Sequence, residues 1–405
     1  MPRWFPAALP ARSSTDMNEL KSRLDTLCVF RDLLQDPVIA SLRAFLDVPD
    51  GNAYAGFVSA LYAANGGNIG AYVRSVCADS CNVYVQTVGK RQIPPAHLRA
   101  ALTAELETLQ AVADLTPDKL CALLFEHDGF LPGFTTDAGD LAKDYLHRTD
   151  NIGRYGYGVF AGHGMFLVEA DGCIVPVRHP DKTALSQLIG YERERKIVLD
   201  NTRALLAGKP AANILLTGDA GTGKSSTVKA VANALCDEGL RIVAVRKDQL
   251  YLIPQLLDTL SENPLKFILF IDDLSFAGND DNFGALKAVL EGSVTARSEN
   301  VVIYATSNRR HMVRETFSDR EGDEVHRNDT MQEQLSLSER FGIHISFSKP
   351  DKATFLHIVR HLARESGISI PDEELDLLAE RFALSRGGRS PRLAKQFVDG
   401  LLAEP

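Results

Sequence analysis

Residues 214–230 read "ILLTGDAGTGKSSTVKA", an apolar run passing through a glycine-rich turn into helix-forming sequence. Gly218, Gly223, Lys224 and Ser225 satisfy the spacing G-x-x-x-x-G-K-[ST], a phosphate-loop signature when a strand precedes it and a helix follows. Both neighbours are present here. Glycines let consecutive backbone amides curl around phosphate oxygens, and the helix N-terminus behind them favours negative charge. Lys224 then reaches the β- and γ-phosphates, and the Ser225 hydroxyl holds magnesium. The expected cradle comprises Gly218, Asp219, Ala220, Gly221, Thr222, Gly223, Lys224, Ser225 and Ser226, with ATP and Mg2+ as its ligands.

The second chemical element is "FILFIDDLSF", in which the apolar residues Phe267 to Ile271 end in Asp272 and Asp273. Ligands of open α/β sheets bind outside the carboxyl ends of the strands, so a buried strand ending in carboxylates delivers them beside the phosphate loop. Asp272 is expected to position magnesium and Asp273 to orient or deprotonate the attacking water.

These groups need a scaffold. Apolar runs at 213–218, 241–245, 267–272, 301–308 and 343–347 alternate with helix-like segments. Strands separated by helical crossovers predict a five-stranded, mostly parallel α/β sheet covered on both faces.

With these parts in place, residues 188–405 resemble an AAA+ ATPase module. "TGDAGTGKSS", "FIDDLSF", "LKAVLEG", "YATSNRRH" and "LSLSERFG" together resemble, within that superfamily, a bacterial ATP-binding family known as domain of unknown function 815. The resemblance implies an ATP-driven machine with a P-loop core and a C-terminal helical lid. It places Ile189, Gly190 and Tyr191 of "LIGYERE" around adenine, and Asn308 as the polar sensor beside the attacking water or γ-phosphate. It makes Arg340 of "LSERFG" an arginine finger acting on a neighbouring subunit, and so implies a homo-oligomer. A guanidinium suits that role because its planar charge matches a phosphoryl group. Arg392 of "GGRSPRLAKQF" is the implied lid sensor, with Ser390 capping its helix and Pro391 in the first turn; Arg389 is the competitor. One departure stands out: AAA+ proteins usually carry glutamate where this chain has Asp273, an aspartate that the related family shares.

The rest of the chain is less specific. Residues 17–150 alternate amphipathic stretches such as "PPAHLRAALTAELETLQAVADL" with polar breaks and predict a helical N-terminal domain; in a loader-like or remodelling role this domain is expected to grip a protein client. Residues 1–16 read as disordered. Residues 151–185 read as a Gly-rich turn and a β-hairpin linker, with "GMFLVE" and "CIVPV" as strands around Asp171 and Gly172. The nucleotide core is expected over 186–350 and the lid over 351–405. The long polar segment 309–334 has the length of a functional or disordered loop.

Charge and cysteine content bound the remaining classes. A formal net charge of −9 argues against broad attraction to nucleic acid or an anionic membrane, while leaving room for a local basic groove. No apolar run approaches the ~18 residues of a spanning helix, and prolines interrupt any leader-like core, so a cytoplasmic setting is expected. Six scattered cysteines predict reduced, mostly buried thiols, and Cys77 and Cys81 have no second pair with which to form a zinc site.

Other spacings fail their context. Gly156, Gly158 and Ala161 fit G-x-G-x-x-A, but no strand precedes them and strand-like sequence follows, so a turn is expected. His357 and His361 share helical spacing, yet Ile358 stands where a zinc peptidase needs glutamate. No Asn-Lys-x-Asp string supports GTP. The reading is an ATPase that remodels or loads a macromolecular partner, with a weakly hydrolysing nucleotide-dependent scaffold and a P-loop kinase as alternatives.

Overall fold

The computed structural model describes residues 12–124, 129–137, 139–274, 286–287, 289–290, 299–308 and 339–403. The segment 309–334 and residues 1–11 lie outside them. The chain divides into two compact units, one ending at Gly162 and the other beginning at His163. Among the described residues no helix is long and apolar enough to cross a membrane.

The first unit is helical because capping residues repeatedly punctuate its apolar periodicity. Asp36 caps α2 (Pro37–Asp47), its carboxylate accepting from the Val38 and Ile39 amides, and Pro37 occupies the first turn without needing a partner for an amide. Asp50, Asn68 and Asn82 cap α3 (Gly51–Asn65), α4 (Ile69–Asp79) and α5 (Val83–Gly89) in the same way. The helix expected from "PPAHLRAALTAELETLQAVADL" is α6, Ala96–Ala113. Its buried Glu105 accepts from the amides of Cys28, Val29 and Phe30 at 2.8–3.0 Å, which satisfies a turn that would otherwise bury donors. Phe30, Phe45, Tyr54 and Phe57 fill the core around it, each fully buried.

The second unit is an α/β layer structure. Its sheet has seven strands in the spatial order Ile174–Pro176, Met165–Val168, Leu240–Val245, Lys266–Ile271, Val301–Ser307, Ile214–Gly218 and Ile343–Phe347, where the sequence predicts five. The five expected strands form as β3 (Ile214–Gly218), β4 (Leu240–Val245), β5 (Lys266–Ile271), β6 (Val301–Ser307) and β7 (Ile343–Phe347). The two additional strands are β1 (Met165–Val168) and β2 (Ile174–Pro176), the predicted hairpin, which is part of this sheet because β1 pairs with the exposed edge of β4 in parallel. Backbone donors on that edge need partners, and β1 supplies them. The sheet is parallel apart from the β1–β2 pair.

β6 is buried at every position and β5 at all but its first, as expected for central strands covered on both faces. Helices α10 (Glu192–Leu206) and α11 (Lys224–Leu235) contribute Val198, Leu205, Val228 and Val231 to the same core. Three C-terminal helices, Lys352–Glu365, Asp372–Ser385 and Pro391–Ala403, form a lid with its own core of Phe355, Val359, Leu375, Ala379 and Phe397.

The remaining motifs resolve simply. Gly156 and Gly158 both adopt positive φ and lead into a single turn of 3-10 helix, so the segment is a turn. His357 and His361 lie on the first lid helix, where His361 Nε2 is 3.4 Å from Glu365 Oε1. Among the described residues no group of three or more His, Cys, Asp or Glu side chains has the placement of a metal site. The cysteines are all free, but the expectation that most are buried is wrong: only Cys77 is, while Cys28, Cys81 and Cys173 are exposed. Cys28 and Cys173 lie in turns and Cys81 just precedes the cap of α5, all outside the buried faces of helices and strands.

Candidate functional site

Strand register assembles the site. β6 lies between β5 and β3, with Ala305 opposite Ile271 and Ser307 opposite Thr217. All three strands run parallel, so Asp272, Asn308 and the phosphate loop emerge at the same edge of the sheet. β7 flanks β3 on its other side, with Phe347 opposite Gly218.

The loop from Gly218 to Gly223 is shaped by three glycines at positive φ: Gly218 (133°), Gly221 (78°) and Gly223 (92°). At Gly218 the reason is also steric, because a Cβ there would lie 2.1 Å from the Phe347 carbonyl oxygen. Asp219 and Ala220 form the exposed tip, and the Thr222 hydroxyl ties the loop internally by donating to the Asp219 carbonyl at 2.9 Å. Gly223 precedes the first turn of α11, which contains Lys224, Ser225 and Ser226.

Lys224 is buried, with 5% of its surface exposed. Its ammonium donates to the carbonyls of Gly218 (2.9 Å) and Asp219 (2.8 Å) and to Asn308 Oδ1 (3.0 Å). Burial lowers the lysine's proton affinity, and the charges of Asp219, Asp273 and Asp272 partly oppose that effect. The Ser225 hydroxyl donates to Asp272 Oδ1 at 2.5 Å. The Asn308 amide donates to Asp273 Oδ1 at 2.7 Å. The glycine-rich loop, the paired carboxylates and Asn308 therefore form one hydrogen-bonded cluster.

Thr306 completes this cluster and was not singled out in the sequence. Its hydroxyl donates to Asp272 Oδ1 at 2.6 Å and accepts from the Asp273 amide at 3.0 Å. The available signal is its position two residues before Asn308, the spacing that repeats a face in extended chain, with Thr306 on β6 and Asn308 just past its end. Asp273 itself has φ +54°, a left-handed conformation that aspartate tolerates better than most residues.

Ile189, Gly190 and Tyr191 line the junction of core and lid within this unit. Ile189 packs on the lid core, and Gly190, at φ +77°, faces Thr354 and Ile358 of the first lid helix. Tyr191 stacks at 5.1 Å on Phe347, donates to the Ser348 carbonyl at 2.5 Å, and has its phenol pushed up to about 12 by burial.

The two lid arginines occupy different environments. Arg389 is held by Glu380 through two bonds of 2.8 and 2.7 Å. Arg392 opens the last lid helix, its amide donating to the Gly221 carbonyl at 3.2 Å, while Ser390 caps that helix by accepting from the Leu393 amide. Arg340 is not brought to this cluster. It precedes Ile343, which pairs with Ile214 at the start of β3, whereas the phosphate loop follows the far end of β3. Four strand steps, roughly 13 Å, separate those two ends.

Magnesium is implied by the resemblance, and the donor set suits it. Mg2+ binds through one or two carboxylates plus phosphate oxygens and water rather than in an all-protein cage, and the adjoining Ser225 hydroxyl and Asp272 carboxylate are oxygen donors of that kind.

The family sequence described as protein of unknown function (DUF815) matches residues 163–405, the same span as the second unit. Among solved structures, the RuvB Holliday junction branch migration motor of Thermotoga maritima is 18% identical, with a TM-score of 0.36 over 54% of this chain and 63% of its own. AMPPCP-bound DnaA from Aquifex aeolicus is 17% identical, with a TM-score of 0.41 over 56% of this chain and 67% of its own. PCH-2 from C. elegans is 18% identical, with a TM-score of 0.38 over 55% and 65%. The match thus spans less than two thirds of the RuvB chain.

Proposed function

The chain belongs to the DUF815 family, and we propose that it is an AAA+-type ATPase that binds ATP with Mg2+ and hydrolyses it to ADP and phosphate. The observation that carries this reading is the continuous cluster of Lys224, Ser225, Asp272, Asp273, Asn308 and Thr306 at the carboxyl edge of a parallel sheet.

In this reading the phosphate-loop amides and Lys224 hold the β- and γ-phosphates, and the lysine exchanges some of its carbonyl contacts for phosphate oxygens. Ser225 and Asp272 hold magnesium, which neutralises charge on the phosphate oxygens when bound. Asp273 takes a proton from the attacking water while Asn308 orients that water or the γ-phosphate. Ile189, Gly190 and Tyr191 surround adenine, and Arg392 senses the nucleotide from the lid.

Arg340 serves the next subunit, because its own phosphate loop lies at the other end of the sheet. The active unit is then a homo-oligomer. ATP turnover drives remodelling or loading of a protein client gripped through the helical N-terminal unit, and six free thiols suit the cytoplasm, a reducing compartment.

Phosphate release by the purified full chain tests this reading. Mg2+-dependent release supports it; tight ATP binding without release favours a nucleotide-dependent scaffold, and transfer to an added acceptor favours a kinase.

A further inference from the structure

We propose that Thr306 is a positioning residue for both carboxylates, and that its hydroxyl sets the affinity for magnesium nucleotide. The inference deepens the ATPase reading and rests on it for the identity of the ligand.

A threonine hydroxyl has one proton to give and lone pairs to receive. In Thr306 the proton goes to Asp272 Oδ1 and a lone pair takes the Asp273 amide. One buried side chain, only 2% exposed, therefore fixes the orientation of the carboxylate assigned to magnesium and the backbone of the carboxylate assigned to water. The second task is demanding, since Asp273 is held at φ +54°, where a non-glycine residue persists only if its surroundings over-determine it.

Strand pairing does not duplicate this work. The Leu274 amide donates to the Thr306 carbonyl at 2.6 Å, so the path of the chain after Asp273 is secured by backbone alone. Removing the hydroxyl leaves that bond in place, takes one of the two donors from Asp272 Oδ1 and takes the acceptor from the Asp273 amide.

Asp272 Oδ1 accepts from Ser225 as well as from Thr306. In the proposed magnesium complex the Ser225 hydroxyl turns its oxygen toward the metal and its contact with Asp272 changes. Thr306, on a buried strand, is the partner that stays. Groups that orient metal-binding side chains typically account for about 10–100-fold in metal affinity or activity when lost.

The test compares wild type, Thr306→Val and Thr306→Ser. Valine keeps the shape without the hydroxyl, and serine restores the hydroxyl without the methyl. ADP and a non-hydrolysable ATP analogue are titrated by calorimetry across a Mg2+ series, alongside phosphate release and thermal melting. In Thr306→Val the Mg2+ concentration that gives half-maximal enhancement of nucleotide binding is expected to rise about tenfold or more. Thr306→Ser is expected to return it to wild type. Should the valine variant fail to fold, Thr306→Ala is the second hydroxyl-free variant.

An unchanged Mg2+ midpoint in a folded hydroxyl-free variant overturns the inference, as does a lowered melting temperature with no change in the midpoint. Wild type that binds magnesium nucleotide without releasing phosphate overturns only the hydrolytic reading, because the binding midpoint still decides the role of Thr306. Wild type that binds no nucleotide overturns both.

Discussion

Asn308 and Asp273, which follow the ends of different strands, face each other through an amide-to-carboxylate bond of 2.7 Å. The opposite end of the same amide accepts from Lys224 at 3.0 Å. An ammonium only donates and a carboxylate only accepts, so these neighbours dictate which end of the amide points where. Asn308 thereby connects the group assigned to phosphate with the group assigned to water.

Lys224→Ala is expected to abolish nucleotide binding while the fold survives. Hydrogen bonds to charged groups contribute about 1.5–3 kcal/mol each, and the lysine has three such bonds available to redirect. Calorimetry is the check, and unchanged ATP affinity in a folded variant would sink the assignment. The lysine's lowered proton affinity adds a pH signature. Between its folded value and 10.5 the unfolded chain binds more protons, so removing Lys224 should abolish a rise of stability with pH in that alkaline window.

Asp273→Asn should keep ATP bound and stop turnover, because the amide preserves shape but takes no proton. Asp272→Asn should instead weaken the dependence on Mg2+. Single-turnover phosphate release and Mg2+ titration separate the two, and normal hydrolysis by Asp273→Asn means the roles are misassigned.

Arg340→Ala should bind ATP yet hydrolyse it poorly, by up to the ~10³–10⁵ that a missing arginine finger causes. If the finger acts between subunits, specific activity rises with protein concentration. Mixing Arg340→Ala with Lys224→Ala then restores some activity, since a mixed interface pairs an intact phosphate loop with an intact arginine. Full activity in a strictly monomeric protein contradicts the trans arrangement.

Arg389 and Arg392 should separate cleanly. Arg389 holds the Glu380 carboxyl below its ordinary value of 4.5. A depressed carboxyl contributes stability that is present above the unfolded value and is lost as pH falls through the folded one. The melting difference between wild type and Arg389→Ala should therefore be largest near neutrality and shrink in acid, with ATP affinity retained. Arg392→Ala should show the converse, lower nucleotide affinity with no acid-dependent change in melting. Loss of ATP binding in Arg389→Ala alone reverses the assignment.

The sequence by itself determined the phosphate loop, the paired carboxylates and all five strands of the central sheet. These features are local: a run such as "FILFI" is legible because a strand covered on both faces has no polar alternation to preserve. Local capping chemistry likewise foretold the start of the last lid helix at Ser390 and Pro391. Only the tertiary structure decided that the hairpin of β1 and β2 widens the sheet to seven strands, since edge pairing joins backbones distant in sequence and leaves no mark on side-chain periodicity. It also shows what the spacing of Arg389 and Arg392 leaves open, that Arg389 is engaged by a bidentate carboxylate from another helix. Thr306 shows the same limit: nothing in "YATSN" announces that its hydroxyl reaches the end of β5, because parallel register brings residue 306 beside residue 272 across 34 positions of chain.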